Sequence, residues 1–151
     1  MPWTIKCGDT NCGCEARASN IVDLIKTHRA VEGLFRSKCG KLGYVEKSFG
    51  LQEEGETWEP YLRGLLPLGN PDETYQPFVF LVSYEPSGPI SDVWFSYYKD
   101  LRSSGGILKL GYGPGGPPVL GTSQLIDLLE KLVTIRCLVQ QDIERLRNIA
   151  A

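Results

Sequence analysis

The sequence predicts an α+β domain in which an antiparallel sheet packs against helices. Short apolar and aromatic segments follow one another with turn residues between them, which is typical of sequential hairpins and not of alternating βαβ units. A long segment with helical spacing of apolar residues, from Ser123 to about Asn148, closes the chain. At 151 residues we expect a single domain. It would comprise a cysteine-rich module (residues 1–50) and an α+β body (residues 51–151).

The cysteine-rich module is expected to contain three strands and one helix. Residues 2–6 predict a strand that leads to the first cysteine. Asn20 predicts the N-cap of a helix with Asp23 at its third position, and Gly33 is expected to end that helix. Two further strands are expected on either side of a turn at Cys39-Gly40, namely Leu34–Phe35 and Gly43–Gly50.

The body begins with an acidic segment, residues 52–70, whose Gly and Pro content predicts a loop with at most a helical turn near Tyr61. Phe78–Tyr84 is almost wholly apolar and predicts a strand buried on both faces. The remaining elements are expected in this order: a turn at 85–89, an aromatic strand at 92–99, a strand at 107–112, a Gly/Pro loop at 113–118 and the terminal helix.

Four of the five cysteines lie within the first 39 residues, in the spacing C-x4-C-x-C, 24 residues, C. Zinc prefers four ligands at a fixed radius, and thiolates clustered in two chain segments can supply them. Gly13 lies between Cys12 and Cys14, whose side chains would point to opposite faces of an extended strand, and a glycine turn allows both to converge. The predicted metal ligands are Cys7, Cys12, Cys14 and Cys39.

The stretch from Arg36 to Lys41 resembles the second knuckle of a zinc ribbon, whose pattern is C-x-x-C-G. The resemblance covers the cysteine-rich module only, and it implies a structural Zn²⁺ ion closed to substrate. Arg36 stands where the first cysteine of that knuckle would be. The fourth ligand would therefore have to be Cys14 or His28.

Two alternatives to the four-cysteine zinc site remain open. In one, three cysteines bind the metal and His28 completes the site. In the other, no metal binds, and the thiols are buried and reduced or form a redox pair. His28 falls on the apolar face of a predicted helix, so a packed core residue is the simpler interpretation. Cys137, in the terminal helix, is expected to be a small core residue.

The net charge of −2 is distributed unevenly, with balances of +3 over residues 1–50, −7 over 51–100 and +2 over 101–151. The basic module favours a negatively charged partner. We therefore expect a non-catalytic, zinc-stabilised protein that binds nucleic acid or an acidic protein surface. The expected contact residues are Lys6, Arg17, Arg29, Arg36, Lys38 and Lys41.

Two other functions remain open. One is a protein–protein adaptor or regulator that forms a homodimer through the terminal helix, and the net charge favours it over a nucleic-acid binder. The other is an enzyme of unrecognised type that uses the Gly/Pro loop and the acidic segment 53–59. That loop lacks the Lys-Ser/Thr of a phosphate-binding P-loop, and its prolines remove N–H donors. The glutamates of 53–59 are expected to form solvated surface.

The aromatic strand offers a candidate base-stacking surface. Alternation places Trp94 and Tyr98 on one face and Phe95 and Tyr97 on the other. One of these faces must belong to the core, and we expect the aromatic residues to serve packing.

No signal-peptide pattern opens the chain, and its longest apolar run, Phe78–Val82, is far shorter than the roughly 20 residues of a membrane helix. We expect a soluble, cytoplasmic protein with no membrane contact. Thiols stay reduced in that compartment, which favours metal binding over disulfides.

Overall fold

The structure, a computed structural model, describes residues 2–27, 33–46, 52–53, 56–57, 60–69, 74–111 and 121–150. In these residues a seven-stranded antiparallel sheet is combined with three α-helices. The predicted α+β class is therefore confirmed. No helix among the described residues has the length and apolar character needed to cross a membrane.

The elements are numbered here in chain order. The strands are β1 (Trp3–Cys7), β2 (Glu15–Ala18), β3 (Gly43–Glu46), β4 (Gln52–Glu53), β5 (Glu56–Thr57), β6 (Tyr61–Pro67), β7 (Tyr75–Ser83), β8 (Asp92–Asp100) and β9 (Leu108–Leu110). The helices are α1 (Ile21–Thr27), α2 (Thr122–Thr134) and α3 (Gln140–Ala150), and a short 3₁₀ helix spans Arg102–Ser104.

The seven strands of the main sheet lie in the order β2-β1-β3-β6-β7-β8-β9, and β4 and β5 form a separate two-stranded hairpin. β3 pairs with β1 on one side and with β6 on the other. The strands of the cysteine-rich module and those of the body are therefore continuous in one sheet.

Strand β7 is the centre of the core because both of its faces are buried, as its sequence predicted. Phe78, Phe80 and Val82 are fully buried on the face that packs against α1. Val79 and Leu81 are fully buried on the opposite face. This second face is covered by Leu66 of β6, by Leu68 just after β6, and by Leu128 and Leu132 of α2.

The N-cap and the first strand of the module agree with the prediction, but the strand expected at Leu34–Phe35 is wrong, because Leu34 and Arg36 form isolated β-bridges there, and strand β2 was not predicted. Asn20 caps α1, because its Oδ1 accepts hydrogen bonds from the N–H groups of Val22 and Asp23, each at 3.0 Å. The strand expected at residues 2–6 is observed as β1, shifted by one residue toward the C-terminus. Residues 28–32, including His28, and residues 47–50 lie outside the described residues.

The predicted loop at 52–70 is wrong over Tyr61–Pro67, because these residues form the central strand β6. The glycine and proline that suggested a loop have positional roles instead. Gly64 lies at a break in register after Leu62, where the backbone of Gly33 comes close. Pro67 is the last residue of the strand, so its missing N–H takes no hydrogen bond from the strand interior.

The predicted helix from Ser123 to Asn148 is also wrong in its length, because the structure has two helices there. α2 ends at Thr134, and Arg136 follows in the left-handed region with φ 58°. Cys137 and Leu138 then pack against the second core face, which requires the chain to leave the helical path. α3 begins at Gln140, and its start is capped by the carboxylate of Asp142, which accepts a hydrogen bond from the N–H of Val139 at 3.2 Å.

The aromatic side chains of strand β8 alternate between its two faces as predicted. Tyr98 is 1% exposed and Trp94 packs against the same core cluster, so this face serves packing. Phe95, on the other face, is 40% exposed. The expected strand at 107–112 is β9, and the Gly/Pro loop at 113–118 lies outside the described residues.

We predict that Gly64→Ala destabilises the protein by at least about 2 kcal/mol. A Cβ at this position would lie 2.2 Å from the carbonyl oxygen of Gly33, and backbone on both strands would have to move. Chemical denaturation should report the loss. Gly13→Ala is the matched control, since nothing lies within 4 Å of its added Cβ. Equal stability of the two variants would contradict this account of β6.

Candidate metal centre

The first part of the site is the connection between β1 and β2. The N–H of Cys7 donates to the carbonyl of Cys14 at 3.1 Å, so the hairpin pairing continues one step beyond the strands. Within the connection, the N–H of Cys12 donates to the carbonyl of Asp9 at 2.9 Å, and the Asp9 carboxylate accepts the N–H of Asn11 at 3.0 Å. This turn brings Cys12 back toward Cys7.

The second part is the turn that precedes β3. The N–H of Gly40 donates to the carbonyl of Ser37 at 2.9 Å, and the N–H of Ser37 donates to the carbonyl of Lys41 at 2.9 Å. Gly40 has φ 81°, a conformation that favours glycine. The turn presents Cys39 at its tip, as the resemblance to a zinc knuckle implied.

Strand pairing joins the two parts, because Cys7 lies opposite Gly43 and the N–H of Gly8 donates to the carbonyl of Leu42 at 2.9 Å. The Sγ atom of Cys39 consequently lies 3.7 Å from that of Cys7 and 3.6 Å from that of Cys12. In a tetrahedral site with Zn–S bonds of about 2.3 Å, neighbouring sulfur atoms are about 3.8 Å apart. A disulfide would require about 2.05 Å. These three cysteines could therefore hold a metal ion.

For each of the three thiols, the backbone N–H two residues further along the chain favours the ionised form and lowers the pKa. Such donors stabilise the thiolate, which is the form that binds a metal. The donors are Asp9 to Cys7, Cys14 to Cys12 and Lys41 to Cys39.

The three thiols differ in acidity. The hydroxyl of Ser37, 3.0 Å from the sulfur of Cys39, and the N–H of Lys41 lower the pKa of Cys39 to about 6. The neighbouring thiols of Cys12 and Cys7 lower this pKa further by donating to the thiolate. Cys39 is therefore the thiol that ionises first.

The pKa values of the other two thiols are raised. For Cys7 the N–H of Asp9 lowers the pKa, but burial and the thiols of Cys12 and Cys39 outweigh it. For Cys12 the N–H of Cys14 lowers the pKa, and the thiols of Cys14 and Cys39 raise it. One thiolate between two thiols is the arrangement expected when three sulfur atoms share a small volume.

Cys14, the fourth predicted ligand, lies beside this group but outside it. Its thiol interacts with that of Cys12, yet the group of sulfur atoms within 4.8 Å of one another contains only Cys7, Cys12 and Cys39. His28, the alternative ligand, lies outside the described residues. Cys137 is half-buried against the second core face, but it lies between α2 and α3 and not inside a helix as expected.

Three of the six predicted contact cations are in ion pairs among the described residues. Arg36 donates to the carbonyl of Gly40 at 2.9 Å, and Lys38 has no carboxylate at ion-pair distance among the described residues. Arg29 lies outside the described residues. The ion pairs are Lys6 with Glu46 at 2.6 Å, Arg17 with Glu15 at 3.5 Å and Lys41 with Asp9 at 2.7 Å.

Sequence reasoning missed a contact between the site and the turn after β7. Ser87 Oγ donates to the carbonyl of Gly8 at 2.7 Å, directly after Cys7. In the same turn, the carbonyl of Gly88 accepts a hydrogen bond from the guanidinium of Arg63, which is only 8% exposed. A Cβ on Gly8 would lie 2.9 Å from Ser87 Oγ. The only signal in the sequence is a serine in a Pro-Ser-Gly-Pro turn.

No protein-family model matches this chain, and neither a curated protein nor a solved structure is significantly similar to it. The likeness to a zinc ribbon is therefore supported by the cluster of three cysteines alone.

We predict that alkylation of Cys39 in the metal-free protein is half-maximal near pH 6, because its pKa is about 6. An acid with a lowered pKa stabilises the fold above its unfolded pKa, and this contribution is lost as the pH falls through about 6. Mass spectrometry of each cysteine over a pH series measures the rates. Cys137 is the internal comparison, since burial raises its pKa. A midpoint for Cys39 near the ordinary thiol value of about 8.5 would contradict the proposed donors.

Proposed function

We propose that this chain is a zinc-binding protein in which the metal has a structural role and the protein acts by binding a partner. The observation that carries the proposal is the spacing of 3.6 and 3.7 Å between Cys39 and its two neighbouring thiols. Sulfur-rich tetrahedral sites select zinc or iron among the common metals, and zinc is the usual ion of structural turns of this kind.

Cys14 is the proposed fourth ligand. It lies opposite Cys7 across the hairpin, and directly opposed residues of an antiparallel pair have their side chains on the same face. Its thiol already interacts with that of Cys12. Four protein thiolates would leave no position for substrate, which supports a structural role for the metal and not a catalytic one.

The proposed role of the metal is to tie the β1–β2 hairpin to the turn that carries Cys39. Only a few backbone hydrogen bonds join these parts, including Gly8 to Leu42. Bonds from one metal ion to both the hairpin and the turn would fix the exposed tip of the turn relative to the sheet. Such a tip is a defined surface for recognition.

Elemental analysis of the purified chain tests the metal. We expect about one zinc ion per chain, and a large loss of zinc in Cys39→Ser, because three ligands hold zinc poorly compared with four. Cys137→Ser is the matched control and should retain its zinc. Cys14→Ser should lose zinc if Cys14 is the fourth ligand. A full zinc content in Cys39→Ser, or none in the wild-type chain purified under reducing conditions, would refute the proposal.

For the partner, the structure favours an acidic protein surface over nucleic acid. Three of the module's cations are already paired with carboxylates, whereas dedicated nucleic-acid binders make about six to ten phosphate contacts. Lys38, which is in no ion pair among the described residues, belongs to the turn between Arg36 and Leu42, two residues that form a β-bridge, and Leu42 is 41% exposed. An exposed apolar side chain and a cation on one turn would offer an acidic protein surface both apolar and ionic contacts.

We predict that Lys38→Glu weakens binding to a glutamate-rich peptide by roughly three- to tenfold, because one attractive contact becomes repulsive. Lys109→Glu, an equal charge change on β9, is the control and should have little effect. Fluorescence anisotropy with the peptide and with a single-stranded DNA of equal charge measures both partners. Tight DNA binding that falls steeply with salt would favour nucleic acid instead, and binding to neither probe would remove the proposed surface.

A further inference from the structure

We propose that Cys12 and Cys39 are a site of reversible oxidation, at which hydrogen peroxide converts the two thiols into a disulfide. The disulfide depends on the positions of the sulfur atoms and does not require a metal. Its consequence for zinc, which is release of the ion, rests on the function proposed above. The same thiols would then hold either the metal or the disulfide, and not both.

The first observation is the contact between the two sulfur atoms. The Sγ atoms of Cys12 and Cys39 lie 3.6 Å apart, although the residues are 27 positions apart in the sequence. A disulfide bond is about 2.05 Å long, so the atoms need to approach by roughly 1.5 Å. The fold therefore performs almost all of the approach before any bond forms.

The second observation is that both cysteines lie in turns whose backbone has room to move. Neither belongs to a strand. Cys12 precedes Gly13 and Cys39 precedes Gly40, and a Cβ built on either glycine would meet no atom of a non-adjacent described residue within 4 Å. A small shift of either turn can therefore close the remaining distance without breaking the pairing of the sheet.

Cys7 is a less suitable partner for Cys39, although its sulfur lies at 3.7 Å. It is the last residue of β1, it lies opposite Gly43 of β3, and its N–H donates to the carbonyl of Cys14. Because neighbours on both edges of the strand hold its backbone, closing the distance would strain the sheet. We therefore assign the disulfide to Cys12.

Cys39 is the thiol that an oxidant reaches first. All five cysteines lie in the described part of the chain, and of these only Cys39 is exposed. Cysteines that respond to peroxide combine access to solvent with a second cysteine close by. In this site the second sulfur belongs to Cys12.

The reaction has two steps. In the first, the sulfur of Cys39 attacks one oxygen of hydrogen peroxide, the O–O bond breaks, and the thiol proton leaves with the departing hydroxide as water, so that Cys39 becomes a sulfenic acid. In the second, the sulfur of Cys12 attacks the sulfur of Cys39, the S–O bond breaks, and the sulfenic oxygen leaves with the proton of Cys12 as a second water. The two sulfur atoms together lose two electrons, which reduce the peroxide.

The disulfide would connect the same two parts that the metal would connect, the β1–β2 connection and the turn before β3. It removes two of the four proposed ligands and leaves only Cys7 and Cys14. Two protein ligands hold zinc poorly, so the ion is released while the turn stays tied to the sheet. A dithiol reductant reverses the reaction by thiol–disulfide exchange.

Peptide mapping of the full chain, purified under reducing conditions, tests the disulfide. We expect an equimolar amount of hydrogen peroxide to link the peptides of Cys12 and Cys39, with Cys7, Cys14 and Cys137 still open to alkylation. Oxidation in guanidinium chloride is the control for the fold, since loop closure in an unfolded chain favours bonds among Cys7, Cys12 and Cys14. Bonds to Cys39 that are no more frequent in the folded chain would overturn the proposal, and so would a disulfide from Cys7 as the main product.

Cys12→Ser tests the second step. We expect Cys39 in this variant to stop at the sulfenic acid, which a 1,3-diketone reagent traps, and the yield of disulfides to Cys39 to fall by at least about tenfold. Cys137→Ser is the matched control and should form the disulfide at the wild-type rate. Both variants should retain the wild-type circular dichroism. An undiminished yield in Cys12→Ser would contradict the role of Cys12.

A zinc indicator in the same reaction separates the oxidation site from the proposed function. We expect about one zinc ion to be released for each disulfide formed, and reduction with dithiothreitol followed by added zinc to restore the starting state. A chain that forms the disulfide but contains no zinc would refute the metal site and support the oxidation site. A chain that keeps both its zinc and its free thiols in peroxide would overturn the oxidation site and support the metal site.

Discussion

The pairing of β1 on both of its edges is the constraint on which the candidate site depends. β2 pairs with one edge and β3 with the other, and at the end of β1 Cys7 lies opposite Gly43 and donates its N–H to the carbonyl of Cys14. The hairpin to β2 carries Cys12 and Cys14, and the turn before β3 carries Cys39. The sulfur atoms meet because backbone hydrogen bonds bring two hairpins together at one end of one strand.

The same sheet links this site to the core of the molecule. β3 pairs with β6, and β6 pairs with β7, whose two faces are both fully buried. The turn after β7 then returns to the site through the hydrogen bond from Ser87 to Gly8. The cysteine-rich module is thus held by the body through the sheet, through this turn and through the packing of α1 against β7. A change in the packing around β7 would reach the thiols by any of these routes.

The parts of the fold that could be predicted are those that residues close together in the sequence determine by themselves. The cysteine spacing, the cap at Asn20 and the apolar run of β7 specify their structures within a few residues. β6 was missed because Gly64 is required by a backbone approach from Gly33, which is distant in sequence. The end of α2 was missed because burial of Cys137 against the sheet overrides a helical pattern with no Gly or Pro.

Within the site, the sequence identified which residues come together but not how they differ. The hydroxyl of Ser37, a residue only 5% exposed, is the largest cause of the lowered pKa of Cys39, and it also acts on Cys7, where burial and the neighbouring thiols outweigh it. A buried donor of this kind lowers the cost of holding a thiolate, and it does so whether or not the other sulfur atoms are ionised. A metal binds the thiolate form, and its binding releases the protons of thiols that are not yet ionised. The turn that carries Cys39 is therefore the part of the site where binding would begin, with Cys7 and Cys12 releasing their protons as the metal replaces them.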